Sequence, residues 1–162
     1  MLERAVINTG PLVALALLDK LDLLPAMFAE CWVPQAVFNE VAVAGIGKPG
    51  AKSLQSADWR ARVRVSPIPD PLLVMELDAG EAEVISLALQ LSPCVAIIDE
   101  RRGRRIAQHI YGLSVKGTAG ILVNAQRAGL ISSVRPLLLA LRASGYFIAD
   151  NVIAAACQAV EE

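Results

Sequence analysis

The sequence holds a single histidine, three cysteines and only 4% aromatic residues. Each scarcity excludes a chemistry. One histidine, His109, speaks against a histidine-based metal site or a Ser-His-Asp triad. His109 itself sits beside Ile110 and Tyr111 and reads as structural. Cys31, Cys94 and Cys157 are an odd, widely spaced set with no CxxC pair. They read as reduced, buried, small apolar residues of a cytoplasmic protein. No apolar run exceeds the seven residues of Leu12–Leu18, and spanning a bilayer takes ~20, so no transmembrane helix is expected. Glu3 and Arg4, with a turn soon after, do not form a signal-peptide pattern. Neither sign of charge dominates: 15 basic residues stand against 16 acidic, net −1. That excludes a globally basic nucleic-acid binder but leaves room for a local basic patch.

Apolar side chains are what the chain has in excess. They make up 55% of it, charged residues 19%, and mean hydropathy is +0.51. A disordered chain and a charged coiled coil are both excluded. The surplus predicts self-association, with helices near Leu12–Leu23 or Val134–Leu141 as the faces. At 162 residues the chain fits one domain, 1–162, with a core that needs no staples.

Short apolar runs alternate with helical patterns. Strands are expected at 4–8, 31–33, 94–98 and 113–115, and an exposed edge strand at 60–65. Helices are expected from Pro11 at its first position, at 21–29, from Pro34 to Ala44, at 51–59, 80–91 and 100–111. Three more follow: 118–128 capped by Thr118, 134–143, and one capped by Asp150. The segment 66–71 reads as a proline-rich loop. The alternation predicts an α/β fold, a three-layer α/β/α sandwich around a central parallel sheet.

In such sheets ligands bind beyond the carboxyl ends of the strands. The two best strands end at Asn8 and Asp99, each followed by a helix start, so each residue is a helix cap or part of a site. Two glutamates bear on the choice. Glu40 falls among Ala36, Val37, Val41 and Ala44 at helical spacing. Glu81 shares a face with Val84, Ile85, Ala88 and Leu91, while Glu83 points away with Ser86 and Gln90. Unpaired buried carboxylates cost several kcal/mol in effective terms. Either an arginine pairs with each, or a cation answers both, and hard oxygen donors without histidine favour Mg²⁺ or Mn²⁺. Directly after Asp99 come Arg101, Arg102, Arg104 and Arg105. They are a solvated helix face or a set of phosphate ligands beside the metal. Thr118 caps its helix or meets a phosphate. Arg60, Arg62 and Arg64 with Trp59 read as an exposed edge.

These segments resemble a known family. Val6-Ile-Asn-Thr-Gly-Pro-Leu12 is similar to the opening strand and turn of PIN-domain proteins, and 33–41 to their proline-started helix with its second acid. Gly80-Glu-Ala-Glu83 and Asp99-Glu-Arg-Arg-Gly-Arg-Arg105 resemble the third and fourth elements of a VapC-like branch. The stretches 117–122 and 145–148 also fit it, so nearly the whole chain is covered. The resemblance implies a Mg²⁺- or Mn²⁺-dependent endoribonuclease acting on single-stranded RNA. It further implies a toxin of a toxin–antitoxin pair, with a small antitoxin partner and a homodimer. Carried over by position, Glu40, Glu81 and Asp99 are the catalytic acids and, with Asn8, the metal ligands. Thr9, Arg101, Arg102, Arg105 and Thr118 are the residues expected to meet RNA. The first acid of the family pattern is Asn8 here, so the chain is a weakened or inactive member or carries a disabling substitution. A non-catalytic PIN-like module that binds RNA or a protein stands as the alternative. A phosphoacceptor receiver domain is disfavoured, because it expects adjacent acids where Ile7-Asn8-Thr9 stands.

Overall fold

The computed structural model describes residues 3–162. Arg4–Ile7 is the central strand β1, and Ala5, Val6 and Ile7 are fully buried. A strand covered on both faces is apolar at every position, not at alternate ones. Val95–Ile97, named β4 below, shows the same unbroken burial.

In chain order, β1 leads to α1 (Thr9–Leu17), α2 (Leu23–Met27) and β2 (Glu30–Pro34). Helix α3 (Gln35–Phe38) runs on into a π turn at Asn39–Ala44. Next come α4 (Ala51–Leu54), α5 (Ala57–Arg60), β3 (Val63–Arg64), α6 (Pro71–Glu76) and α7 (Ala79–Gln90). After β4, α8 (Arg101–Arg105) also ends in a π turn, Ile106–Ile110, and is followed by β5 (Ser114–Lys116). Helices α9 (Thr118–Arg127), α10 (Val134–Ala143) and α11 (Asp150–Ala159) close the chain. No helix among the described residues is long and apolar enough to cross a membrane.

The five strands are parallel in the order β3-β2-β1-β4-β5, with helices on both sides in an α/β/α sandwich. The register sets Ile7 beside Ile97 and Ile97 beside Lys116. The chain leaves β1 toward β2 on one side, and β4 then enters on the other. The strand order therefore reverses between β1 and β4, and a crevice opens beyond their carboxyl ends. Asn8 and Asp99 stand at that point.

Helix α7 is buried nearly all round, with Val84, Ile85, Leu87 and Ala88 at 0% exposure. It packs against β1, β2, β4 and α3. On the helices expected to pair with a second copy, Leu12, Leu15, Leu23, Leu24, Val134, Leu138 and Leu141 are buried in the core. Leu139 of α10 remains exposed, and further exposed apolar side chains include Val65, Ile68, Val74 and Met75 around α6 and Phe147.

Several boundaries differ from the sequence expectation. Helix α1 begins at Thr9, two residues before Pro11. The segment 51–59 is two short helices, because Ser56 caps a second one by accepting the Trp59 N–H at 3.3 Å. Asp70 accepts the N–H groups of Leu72 and Leu73 and starts α6, a helix the sequence reading left out. Thr118 and Asp150 are first helical residues, and the cap positions are Gly117 and Ala149. The edge strand shrinks to two residues.

Candidate functional site

A cleft of about 350 Å³ opens at the reversal point, lined by Asn8, Thr9, Gly10, Glu40, Asp78, Glu81, Asp99, Glu100, Tyr146 and Phe147. Five carboxylates line it and no lysine or arginine does. Among the described residues none of the five joins an ion pair. The arginine partners that would have neutralised Glu40 and Glu81 are therefore not present.

Each acid is placed by its own device. Asp99 follows β4 through Ile98, whose carbonyl accepts from Arg104 Nη1 at 2.9 Å and whose N–H donates to Lys116. The Asp99 carboxylate accepts the Thr118 N–H at 2.7 Å and the Thr118 hydroxyl at 2.6 Å. The Tyr146 hydroxyl donates to the same carboxylate, and burial and that negative charge raise the phenol above its ordinary pKa. A Cβ on Gly117 would lie 2.8 Å from Arg104 Nη1 and 2.9 Å from Asp99 Oδ1, so any larger residue there has to push one of them aside.

Glu81 sits in the first turn of α7, whose N-cap Asp78 accepts the Glu81 N–H at 2.8 Å. The Glu81 side chain is 4% exposed, and its Oε2 has no hydrogen-bond partner. Burial, with help from the charges of Asp78 and Glu100, pushes its pKa up to about 8. Gly103 of α8 packs so closely that a Cβ there would lie 2.7 Å from that oxygen. Glu83, expected in water, is half-buried and accepts the Ala36 N–H at 3.0 Å, which satisfies the start of α3.

Glu40 departs from the expected geometry. It is exposed at the cleft rim and accepts the Thr9 hydroxyl at 2.6 Å. Val37 and Val41 keep the apolar face at i,i+4 spacing, and Glu40 lies on its flank, turned toward the cleft and Thr9. Asn8, 7% exposed, holds the end of β1 by donating its N–H to the Ile97 carbonyl at 3.0 Å. Its side chain caps nothing in α1 and lines the cleft.

The residues expected to meet RNA divide. Thr9 lines the acidic cleft, and Arg101 lines a second groove that shares Asp99, Glu100, Tyr146 and Phe147 with it. Thr118 lies at the base of that groove with its hydroxyl held by Asp99. Arg102 is ion-paired with Glu76. Arg105 is exposed and lines neither space. Five cleft residues are not among the site candidates read from the sequence: Gly10, Asp78, Glu100, Tyr146 and Phe147. Asp78 carried a signal, a capping acid three residues before Glu81. Tyr146 lay in the stretch 145–148 that fits the family resemblance, but its pairing with Asp99 spans 47 residues of chain and no local pattern signals it.

The donor set fits a hard divalent cation. All side-chain ligands on offer are oxygens, they are acidic in excess, and Glu81 Oε2 is a buried acceptor with nothing donating to it. Among the described residues, however, no three acids, cysteines or histidines already surround a single point. The carboxylates line the cleft without clasping one position.

Comparison with known proteins agrees with this architecture. The sequence model of one family, DUF3368, described as PIN domain, matches residues 4–162. No curated protein and no solved structure matches the chain. With nearly its whole length matched and its acids gathered where the strand order reverses, the chain belongs to the PIN-domain family.

Proposed function

We propose that this protein is a divalent-metal-dependent endoribonuclease acting on single-stranded RNA, with Mg²⁺ or Mn²⁺ as its cofactor. The observation that carries the proposal is the unpaired acidic cleft at the β1/β4 switch point of a PIN-domain chain. Glu40, Glu81 and Asp99, with the Asn8 side-chain carbonyl, would hold the ion. When bound, such an ion activates a water and stabilises the leaving oxygen of a phosphodiester. The chain's own groups orient the acids. Thr118 and Tyr146 fix the Asp99 carboxylate, Thr9 fixes Glu40, and the Asp78 cap aims the first turn of α7. Thr9 and Arg101 are the direct RNA contacts we assign, with Arg102 and Arg105 acting from the rim and Thr118 acting through Asp99.

A toxin role with a small antitoxin, a cytoplasmic location and a homodimer complete the proposal. The family membership supports it, and so does the apolar surface around α6. Light scattering at micromolar concentration tests the dimer, and a neighbouring small gene with a DNA-binding pattern tests the pairing.

Asn8 favours one second reading, a non-catalytic module that binds RNA or a protein. An amide oxygen in place of a carboxylate removes one unit charge from the site. At ~4 Å and an effective dielectric of ~20 a unit pair contributes about 4 kcal/mol. Doubling for a divalent ion and discounting for desolvation leaves a few kcal/mol, or about a hundredfold in affinity. Calorimetric Mn²⁺ titration and cleavage of a mixed single-stranded RNA are run on the wild type, Asn8→Asp, and Asn8→Asp with Asp99→Asn. We expect Asn8→Asp to bind metal more tightly and cut faster, and the double variant to lose both gains. If Asn8→Asp changes neither, the acidic cluster is not a metal-dependent nuclease site.

A further inference from the structure

Resting on the nuclease reading, we propose that Phe147 and the groove it borders form a base-stacking subsite that holds an unpaired RNA base beside the acidic cleft. The chain has three phenylalanines. Phe28 is buried and Phe38 is half-buried, but Phe147 is 88% exposed. A lone exposed apolar residue is ordinary, and here the position is what matters. Phe147 lines both the acidic cleft and the adjoining groove of about 400 Å³. Its neighbour Tyr146 is tied to Asp99 by its hydroxyl, which fixes the Phe147 backbone next to that acid.

The groove has the composition that a nucleotide requires. One wall is apolar, from Ala119, Ile148 and Val152. Arg101 supplies its cation, and no carboxylate enters it beyond Asp99 and Glu100, which it shares with the acidic cleft. A base on the Phe147 ring thus has a guanidinium within the same groove for its phosphate, and the next phosphodiester falls at the acids. Aromatic stacking tolerates any base, because every base has a π face. The subsite therefore gives affinity and register on the Arg101 side without dictating sequence.

The test uses the full chain and a fluorescein-labelled adenosine ribonucleotide octamer, with an abasic octamer as control. Binding is read by anisotropy in Ca²⁺, and cleavage is read separately in Mn²⁺. Phe147→Ala should weaken octamer binding about tenfold. Phe147→Trp should restore it, and the abasic octamer should bind both proteins equally weakly. Thermal melting should be unchanged, since the ring is exposed. Equal binding of the intact octamer by wild type and Phe147→Ala overturns the proposal and assigns the ring to a protein partner instead. Phe147-dependent binding without any Mn²⁺ cleavage upholds the subsite and sinks the nuclease reading. Cleavage by a protein whose binding ignores Phe147 does the reverse.

Discussion

Replacing Glu81 with glutamine should stabilise the metal-free protein at alkaline pH and flatten its pH dependence. In the unfolded chain the Glu81 carboxyl titrates near 4.5, and in the fold near 8. Between those values the folded state keeps a proton that the unfolded chain has released. The stability from this group is complete below the lower value and is lost as pH rises through the upper one. At ~1.4 kcal/mol per pKa unit the two values set a ceiling of roughly 5 kcal/mol. Asp78 and Glu100 are exposed and can relax away from the charge, so about half of that is the expected loss. Urea unfolding in EDTA at pH 5 and pH 8.5 measures it. The wild type should lose about 2–3 kcal/mol between the two conditions, and Glu81→Gln should lose far less. Adding Mg²⁺ at pH 8.5 should restore the wild type and leave Glu81→Gln unmoved. The reasoning fails if Glu81→Gln shows the wild-type slope, because the buried unpartnered oxygen would then not be what titrates.

Gly103→Ala should displace the Glu81 carboxylate, since the new Cβ would lie 2.7 Å from Oε2. The acid end can swing aside, so we expect a stability loss of about 1 kcal/mol, a clear drop in Mn²⁺ affinity by calorimetry, and no stability cost in a Glu81→Ala background. Tyr146→Phe removes one donor to the Asp99 carboxylate, and a loss of about 1–2 kcal/mol in urea unfolding is expected. An unchanged midpoint would mean the hydroxyl contributes nothing to the fold.

What the sequence revealed and what it withheld divide by range of interaction. Strands β1 and β4 were legible because a strand buried on both faces is apolar at every position, and Ala5–Ile7 and Val95–Ile97 are. Glu81 was legible for the same kind of reason: a carboxylate in register with Val84 and Ile85 has to follow that face inward. Glu40 looked equivalent by spacing and is not, because the buried face runs through Val37 and Val41 and Glu40 falls on its flank. Helix α6 was missed because its start depends on one side chain, Asp70, accepting two N–H groups, and not on a periodic face. Hydrophobic excess reports how much is buried and not against what. Leu12, Leu138 and Leu141 found partners within the chain, and the surface kept Val74 and Met75 instead. The Asp99 carboxylate shows the limit most plainly. Position 99 could be read from the end of β4, but two of its three donors come from Thr118 and the third from Tyr146, on segments brought near only by the completed sheet and its closing helices. A carboxylate so fully held by neutral donors has a fixed orientation. In the proposed nuclease, Glu40, on the rim, and the amide of Asn8 are then the groups whose adjustment would let the cleft close around an ion.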